Sequence, residues 1–370
     1  MATQEHYLVV GGVGFLGSYI VQALVARGES HVAVYDLNAP LPRDQVTGVS
    51  YYSGDICSLD RVLEVLQETK STTIFHTASP IHGLADEIYT EVNFRGTETL
   101  LKACRDTSLS PPVSKFVFTS STGVTWTPRD LAGVSEAETP YPPHGYDAYH
   151  HTKALAEKLV ISADEAGLRT VVLRPCGMTG PRDPQLFHRL ATVLTEKQHK
   201  VQIGNNDNLV DYAYAGNVAD AHILAADRLP TGPEETPHPV AGQVFFITNG
   251  EPIHIWDFNR LVWRGLGAPA AELDPKNVTK IPRWLAMCLA ALSQAWAKFT
   301  GGTTEFNLFA IRFLTATQWY NIDKARSALG YQPKVKLEEA VRLTVEWWKE
   351  RGAEEFAERQ KQKSQNKKRV

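Results

Sequence analysis

A chain of 370 residues is too long for one small domain and fits one large α/β domain with an attached substrate-binding part, or two domains. Its composition is that of a globular protein, and the net charge of -3 gives no reason to expect nucleic acid as a partner. No paired spacing that would predict a zinc site or a disulfide framework is found among the four cysteines, Cys57, Cys104, Cys176 and Cys288.

The first predicted strand, residues 6–10, runs directly into a glycine-rich loop, and a helical pattern follows through Arg27. Glycines here permit a tight turn, so that backbone N–H groups at the helix N-terminus can approach a pyrophosphate. A glycine-rich turn with only a structural role is the alternative. The residues predicted to form the dinucleotide-binding loop are Gly11, Gly14, Phe15, Leu16 and Gly17.

The second predicted strand, residues 31–36, ends in Asp36, nineteen residues after Gly17. A carboxylate at this place can accept hydrogen bonds from the hydroxyls of an adenosine ribose, and it would repel a 2′-phosphate. Leu37 and Asn38 follow instead of an arginine. The pattern therefore favours NAD over NADP.

Two more strands are predicted at residues 51–56 and 73–80. Open parallel sheets bind ligands at the carboxyl ends of their strands, which would bring both strand ends to the cofactor. Asp55 is either a contact to adenine or a surface turn residue. His76 is expected to be a hydrogen-bonded core histidine, and Ala78 follows it in the loop at the cofactor-facing edge.

A fifth strand is predicted at residues 115–122 and ends in hydroxyl side chains. Ser121 is placed to hydrogen-bond a substrate oxygen, and Ser120 is the neighbouring candidate. Before it, a helix predicted from Glu91 to Arg105 carries Asn93, which can bond a loop backbone near the nicotinamide.

Tyr149 and Lys153 project from the same face of a predicted helix, one turn apart. A free phenol has a pKa of about 10, and an ammonium beside it favours the phenolate and lowers that value. The pair can then accept a proton from an alcohol, provided that another group takes the hydride. Because surface helices often carry this spacing, it gains weight only from the glycine loop, Asp36 and Ser121.

The order of glycine loop, acid, Ser-Ser and Tyr-x3-Lys resembles the extended short-chain dehydrogenase/reductase superfamily. The resemblance implies a Rossmann-type doubly wound parallel sheet and a homodimer that pairs through the helices containing Asn93 and Tyr149. Ser121, Tyr149 and Lys153 would be the catalytic residues. The resemblance implies that the cofactor, NAD, is bound by Gly11, Gly14, Phe15, Leu16, Gly17, Asp36, Asp55, Ala78, Asn93, Tyr149, Lys153 and Pro175, the last residue of a sixth predicted strand, and no metal site is expected.

Four later stretches resemble the 3β-hydroxysteroid dehydrogenase group, and within it the decarboxylating sterol-4α-carboxylate 3-dehydrogenases. The resemblance implies oxidation of the 3β-hydroxyl of a 4α-carboxysterol or related triterpenoid, with loss of carbon dioxide. In this reading Arg182 pairs with the substrate carboxylate, and the alternative is an ion pair with Asp183 or another acid. The matching stretches are residues 176–186, 203–211, 217–222 and 243–252.

Three other functions stay open. One is a general 3β-hydroxysteroid dehydrogenase, with or without isomerase activity, and another is a terpenoid alcohol dehydrogenase of specialised metabolism. The third is a non-catalytic Rossmann protein that senses NAD, although such proteins commonly lose the tyrosine or the lysine that this chain keeps.

The expected architecture is an NAD-binding Rossmann domain over residues 1–180 and a smaller C-terminal α/β lobe for the substrate over residues 181–350. Some segments of the second range are expected to return to the first domain. Residues 351–370 form a polar, basic tail that is predicted to be disordered. Its end, Lys367-Lys368-Arg369-Val370, resembles a dilysine signal for retrieval to the endoplasmic reticulum.

The most apolar segment is a predicted helix over residues 284–297, flanked by Arg283 and Lys298. At about 20 Å it is shorter than the roughly 30 Å hydrocarbon core of a bilayer. Tryptophans near both ends and flanking cations are typical of a helix that lies in the membrane interface. A buried helix over the substrate pocket is the alternative. We therefore expect peripheral contact with the endoplasmic reticulum membrane on its cytosolic face, or else a cytoplasmic protein.

Overall fold

The computed structural model describes residues 5–230, 238–302, 304 and 306–358. The dilysine sequence at the C-terminus lies outside these residues. The strands are β1 (Tyr7–Val10), β2 (Val32–Asp36), β3 (Val49–Ser53), β4 (Thr73–His76), β5 (Lys115–Thr119), β6 (Leu131–Val134), β7 (Arg169–Pro175), β8 (Gly177–Thr179), β9 (Val201–Ile203), β10 (Leu209–Val210), β11 (Tyr212–Tyr214), β12 (Gln243–Ile247), β13 (Ile253–His254), β14 (Thr279–Ile281) and β15 (Gln318–Tyr320).

The helices alternate with these strands in the first half of the chain and predominate in the second. They are α1 (Phe15–Ala26), α2 (Leu59–Thr69), α3 (Asp86–Tyr89), α4 (Gly96–Cys104), α5 (Ala148–Ser162), α6 (Leu186–Thr195), α7 (Ala215–Arg228), α8 (Ile255–Gly265), α9 (Ala270–Leu273), α10 (Arg283–Phe299), α11 (Leu308–Thr315), α12 (Asp323–Leu329) and α13 (Leu337–Trp347).

Seven strands form the main sheet in the spatial order β3-β2-β1-β4-β5-β7-β12, and every neighbouring pair is parallel. The strand order reverses at β1, as in a doubly wound sheet. One apolar cluster joins the sheet to α1, α7 and α12, and a second joins the opposite face to α2, α4 and α5. The predicted fold class is confirmed, and β12 adds a seventh strand at the edge beyond the six that were predicted.

Several predicted boundaries are wrong. The third strand covers residues 49–53, and β4 and β5 end at His76 and Thr119, before the loops that were counted with them. The helix predicted over 91–105 is divided, because a π-helical turn (Thr90–Arg95) separates α3 from α4. Such turns occur often at functional sites, and this one contains Asn93.

The second lobe has its own sheet, in the order β13-β10-β15-β6, and an apolar core around Trp263 of α8. Chain segments cross the predicted boundary at residue 180 in both directions. β6 belongs to this smaller sheet, whereas β12 and α7 belong to the main sheet and its core. The two parts of the fold are therefore built from interleaved segments of the chain.

Helix α10 packs through its small residues and leaves its large apolar residues uncovered. Ala286 and Ala290 are buried against Ile311 of α11. By contrast, large exposed fractions are found for Trp284 (68%), Leu292 (68%), Trp296 (68%) and Phe299 (84%). This exposure contradicts the alternative of a buried helix. Among the described residues, no helix is long and apolar enough to cross a membrane.

The C-terminal segment corrects one prediction. At the start of α12, the backbone N–H of Asp323 donates to the Asn321 side chain at 2.7 Å. The tail is helical through residue 358 instead of disordered from 351, and Phe356 packs 4.2 Å from the His188 ring. Residues 359–370 lie outside the description. Gly330 is the C-cap residue of α12 and has φ +74°.

Candidate active site

Two glycines, one in the loop after β1 and one in the first turn of α1, leave no room for a side chain. Gly11 has φ +83°, and a β-carbon there would lie 2.6 Å from the backbone nitrogen of Ala78. A β-carbon on Gly17 would lie 2.2 Å from the carbonyl oxygen of Gly11. The approach at Gly11 places the glycine loop against the loop that follows β4. The contact of Ala78 with a cofactor stays a prediction.

The start of α1 offers hydrogen-bond donors to a ligand. Gly14 is the N-cap residue, and no side chain caps the helix. The backbone N–H groups of the first turn, which includes Phe15 and Leu16, lack partners within the helix. At the end of β2, Asp36 accepts a hydrogen bond from the backbone of Val13 at 3.1 Å, and burial raises the pKa of its carboxyl. Donors for a pyrophosphate and a carboxylate for ribose hydroxyls thus lie at one sheet edge, which fits a dinucleotide.

Asp55 and Pro175 also lie at carboxyl ends of strands in the main sheet. The Asp55 side chain is exposed and accepts a hydrogen bond from the backbone of Cys57 at 2.9 Å, which is the behaviour of a surface turn residue. Pro175 is the buried last residue of β7, in register with Ile247 of β12. Contacts of both residues with a cofactor stay predictions.

Tyr149 lies in the first turn of α5, beside the end of β5. Asp147 is the N-cap residue of this helix and accepts a hydrogen bond from the backbone of His150. Burial raises the pKa of Tyr149 to about 12, and hydrogen bonds to the side chains of Ser121 and Ser79 oppose that rise. The structure therefore brings the predicted base together with the predicted substrate-binding hydroxyl of Ser121.

Lys153 is buried one turn farther along α5. Its ammonium donates to the carbonyl oxygen of Thr119 at 2.9 Å. Burial lowers the pKa of Lys153 to about 7, and the negative charge of Glu157 opposes this. The expected lowering of the pKa of Tyr149 by Lys153 is not found in this structure, because desolvation of the phenol outweighs every other influence.

His76 is buried as expected, with Nε2 2.9 Å from the hydroxyl oxygen of Thr97.

Asn93 joins two parts of the site. Its amide nitrogen donates to the hydroxyl of Thr152 on α5 at 3.1 Å, and its amide oxygen accepts from the hydroxyl of Ser79 at 2.9 Å. The predicted partner was a loop backbone, whereas the observed partner is the Ser79 side chain in that loop. Asn93 thereby connects the loop after β4 to the helix that carries Tyr149.

A buried charged cluster below Lys153 was not predicted. The carboxylate of Glu157 accepts hydrogen bonds from Arg174 at 2.6 Å, from the hydroxyl of Tyr141 at 2.5 Å, and from Ser120. Ser120 is therefore a partner of Glu157 instead of a second substrate contact. The signal available in the sequence was the position of Glu157, four residues after Lys153.

Arg182 forms an ion pair with Asp44 at 3.7 Å, and it borders the same small cavity as Val13 beside the glycine loop. The carboxylate of Asp183 instead accepts hydrogen bonds from three backbone N–H groups at the start of α6, including that of Gln185 at 2.9 Å. The ion-pair alternative is thus confirmed, with Asp44 as the partner in place of Asp183.

Most of the chain matches a known protein family. Residues 8–278 match the model of the 3-beta hydroxysteroid dehydrogenase/isomerase family. The chain belongs to this family. Membership confirms the resemblance seen in the sequence, and it agrees with a seven-stranded parallel sheet flanked by helices.

Family relatives are similar over nearly their whole length. Sterol-4-alpha-carboxylate 3-dehydrogenase, decarboxylating, from Schizosaccharomyces pombe is 39% identical, with 92% of this chain and 96% of the relative covered. The protein of the same name from Saccharomyces cerevisiae is 36% identical, with 95% and 99% covered. The human protein of that name is 33% identical, with 91% and 87% covered.

Solved structures share the fold at lower identity. UDP-glucose 4-epimerase from Thermotoga maritima, solved with UDP-glucose, has a TM-score of 0.69 at 23% identity and covers 93% of this chain and 99% of its own. The Thermus thermophilus UDP-glucose 4-epimerase complex with NAD has a TM-score of 0.65 at 24% identity, with 93% and 99% covered. These similarities support the fold alone.

Proposed function

We propose that this protein oxidises the 3β-hydroxyl of a 4α-carboxysterol, or of a related triterpenoid, to the 3-ketone with NAD and with loss of the C-4 carboxylate as carbon dioxide. The observation that carries the proposal is that Tyr149 and Ser121 lie beside each other at the carboxyl end of β5, where Ser121 acts to lower the pKa of the phenol. The names of the relatives with 33–39% identity support the substrate class.

In this proposal Tyr149 removes the hydroxyl proton while Ser121 holds the substrate oxygen. The Ser121 oxygen accepts a hydrogen bond from the backbone of Gly123 at 3.1 Å, which leaves its own O–H to donate. Lys153 supplies positive charge next to the strand end and favours the phenolate once the site is filled. The glycine loop and Asp36 would hold NAD, and the cofactor would supply the acceptor for the hydride.

Loss of carbon dioxide follows from the product of the oxidation. The 3-ketone with a carboxylate on the next carbon is a β-keto acid. When the bond between C-4 and the carboxyl carbon breaks, its electron pair moves toward the ketone and forms an enolate. Ser121 and the newly protonated Tyr149 can donate hydrogen bonds to that enolate oxygen, so no further catalytic residue is required.

The test measures NADH formation and carbon dioxide release from a 4α-carboxysterol and from the same sterol without the carboxylate. Both signals from the carboxysterol alone would support the proposal. Equal NADH from both sterols, without carbon dioxide, would favour a general 3β-hydroxysteroid dehydrogenase. Tyr149→Phe should lower kcat by about 100- to 10,000-fold. Unchanged turnover in this variant would exclude Tyr149 as the base.

We also propose that α10 contacts the endoplasmic reticulum membrane from its cytosolic face. Support comes from the exposed side of α10, where Trp284, Leu292 and Trp296 follow one another at helical spacing, with Lys298 in the last turn. An amphipathic helix of this kind binds a bilayer through buried apolar area. Trp284→Ser with Trp296→Ser should reduce sedimentation with anionic lipid vesicles at least fivefold. Equal sedimentation would leave the cytoplasmic alternative.

A homodimer that pairs through the helices containing Asn93 and Tyr149 is the assembly we propose from the superfamily resemblance. Light scattering after size-exclusion chromatography tests it directly. A mass equal to one chain across micromolar concentrations would rule it out.

A further inference from the structure

Two histidine rings surround the phenol of Tyr149. The ring centroid of His82 lies 4.1 Å from that of Tyr149, and the centroid of the His150 ring lies 5.2 Å from it. The two imidazole rings are 5.9 Å apart. The roles given above to Ser121, Tyr149 and Lys153 leave both histidines without a function.

The orientation of His150 is fixed by Asp147. Nδ1 lies 2.7 Å from a carboxylate oxygen of Asp147, and because a carboxylate only accepts, Nδ1 donates. The opposite nitrogen, Nε2, faces the turn that follows Ser121. A β-carbon built on Gly123 would lie 2.5 Å from Nε2 and 3.3 Å from the Ser121 oxygen. Nε2 therefore borders the same small region as the hydroxyl that is expected to hold the substrate.

We infer that His150 and His82 form a subsite for the carboxylate at C-4 of the substrate, an inference that rests on the function proposed above. This carboxylate is attached to the carbon next to the one that bears the hydroxyl. Its binding groups must therefore lie beside Tyr149 and Ser121, where the two rings are. With protons on both nitrogens, His150 donates to Asp147 and to the carboxylate at once.

The two rings have different electrostatic environments. Burial raises the pKa of Asp147, but its hydrogen bonds with His150 and the charge of that ring outweigh burial, so the pKa of Asp147 is lowered. The pKa of His82 is lowered by burial and then by the charge of His150. His82 would therefore contact the carboxylate as a neutral ring that donates one hydrogen bond. The other candidate, Arg182, is paired with Asp44 beside the glycine loop.

The experiment compares kcat and KM for a 4α-carboxysterol and for the same sterol without the carboxylate. His150→Gln should raise KM for the carboxysterol about 10- to 100-fold, since a charge-assisted hydrogen bond is lost. For the uncarboxylated sterol the change should stay below about threefold. His82→Gln, on a surface loop, should give a smaller loss of the same selectivity. His151→Gln is the matched control, because its ring lies against His144 instead of Tyr149.

The following results would overturn the subsite. If His150→Gln loses the same factor of kcat/KM on both sterols, His150 positions Tyr149 instead of binding the carboxylate. If its kinetics are unchanged, His150 has no role in the reaction. Either result overturns the subsite and leaves the proposed function standing. If His150→Gln does not fold, unchanged selectivity in His82→Gln overturns the subsite equally. A wild-type protein that forms no NADH from either sterol would overturn the proposed function and the subsite with it.

Discussion

Replacement of Lys153 by methionine should stabilise the protein, and most strongly at low pH. Burial lowers the pKa of Lys153 from its ordinary value of 10.5 to about 7 in the folded protein. Between these two values the unfolded chain binds a proton at this lysine that the folded protein does not. The free energy of unfolding therefore rises with pH across this window, and the penalty of the buried ammonium is largest below pH 7.

The size of the effect follows from the two pKa values. The penalty is on the order of 4–5 kcal/mol at pH 6 and falls to roughly 2 kcal/mol at pH 9. Methionine has no charge to bury, but it also loses the hydrogen bond to the Thr119 carbonyl. That loss adds a pH-independent offset to the free energy of unfolding of Lys153→Met. The prediction therefore concerns how the difference in this free energy between the variant and the wild-type protein changes with pH. The expected change is about 2–3 kcal/mol between pH 6 and pH 9.

The assay is urea unfolding at pH 6, 7, 8 and 9, followed by tryptophan fluorescence, for the wild-type protein and for Lys153→Met. Lys158→Met is the control, because Lys158 is an exposed lysine of the same helix. If the difference in the free energy of unfolding between Lys153→Met and the wild-type protein is the same at all four pH values, the folded protein keeps an ordinary lysine at this position. The reasoning about its burial would then be refuted.

Three further changes test the cofactor loop and the charged cluster. Asp36→Asn should lower the ratio of kcat/KM with NAD to that with NADP at least tenfold, and an unchanged ratio would exclude Asp36 from ribose recognition. Gly17→Ala should abolish NAD binding in calorimetry, whereas Gly167→Ala, which would meet no atom within 4 Å, should bind normally. Glu157→Gln should lower the free energy of unfolding by about 3–5 kcal/mol, because it leaves Arg174 buried without its charged partner. A loss below 1 kcal/mol would contradict that account.

The main sheet was predictable because its signals are local. Continuous apolar runs such as residues 7–10 favour buried strands when glycines and helical patterns separate them. The boundaries were less accurate where polar residues follow a strand directly, as after β4 and β5. The π-helical turn in the predicted 91–105 helix contains Asn93, whose contacts with Ser79 and Thr152 join residues far apart in the chain and have no local signal.

The candidate site was predictable in part for the same reason. Tyr149 and Lys153 are one turn apart, so their pairing can be read from the sequence. The acceptor of Lys153 on β5 cannot be read in this way, because the lysine and Thr119 are separated by 34 residues. The predicted direction of the pKa shift of Tyr149 was wrong for a related reason. Spacing indicates which charges are near a phenol but not how far it is removed from water.

Helix α5 carries several side chains of the candidate site and fixes their positions relative to the main sheet. Asp147 caps it and orients His150, Tyr149 meets Ser121, and one turn later Lys153 reaches the end of β5. The next turn presents Glu157 to Arg174 on β7. Successive turns of one helix are thus fixed to two neighbouring strands of the sheet. Because a helix moves as a unit, the buried contacts of Lys153 and Glu157 with the sheet also hold the phenol of Tyr149 in place.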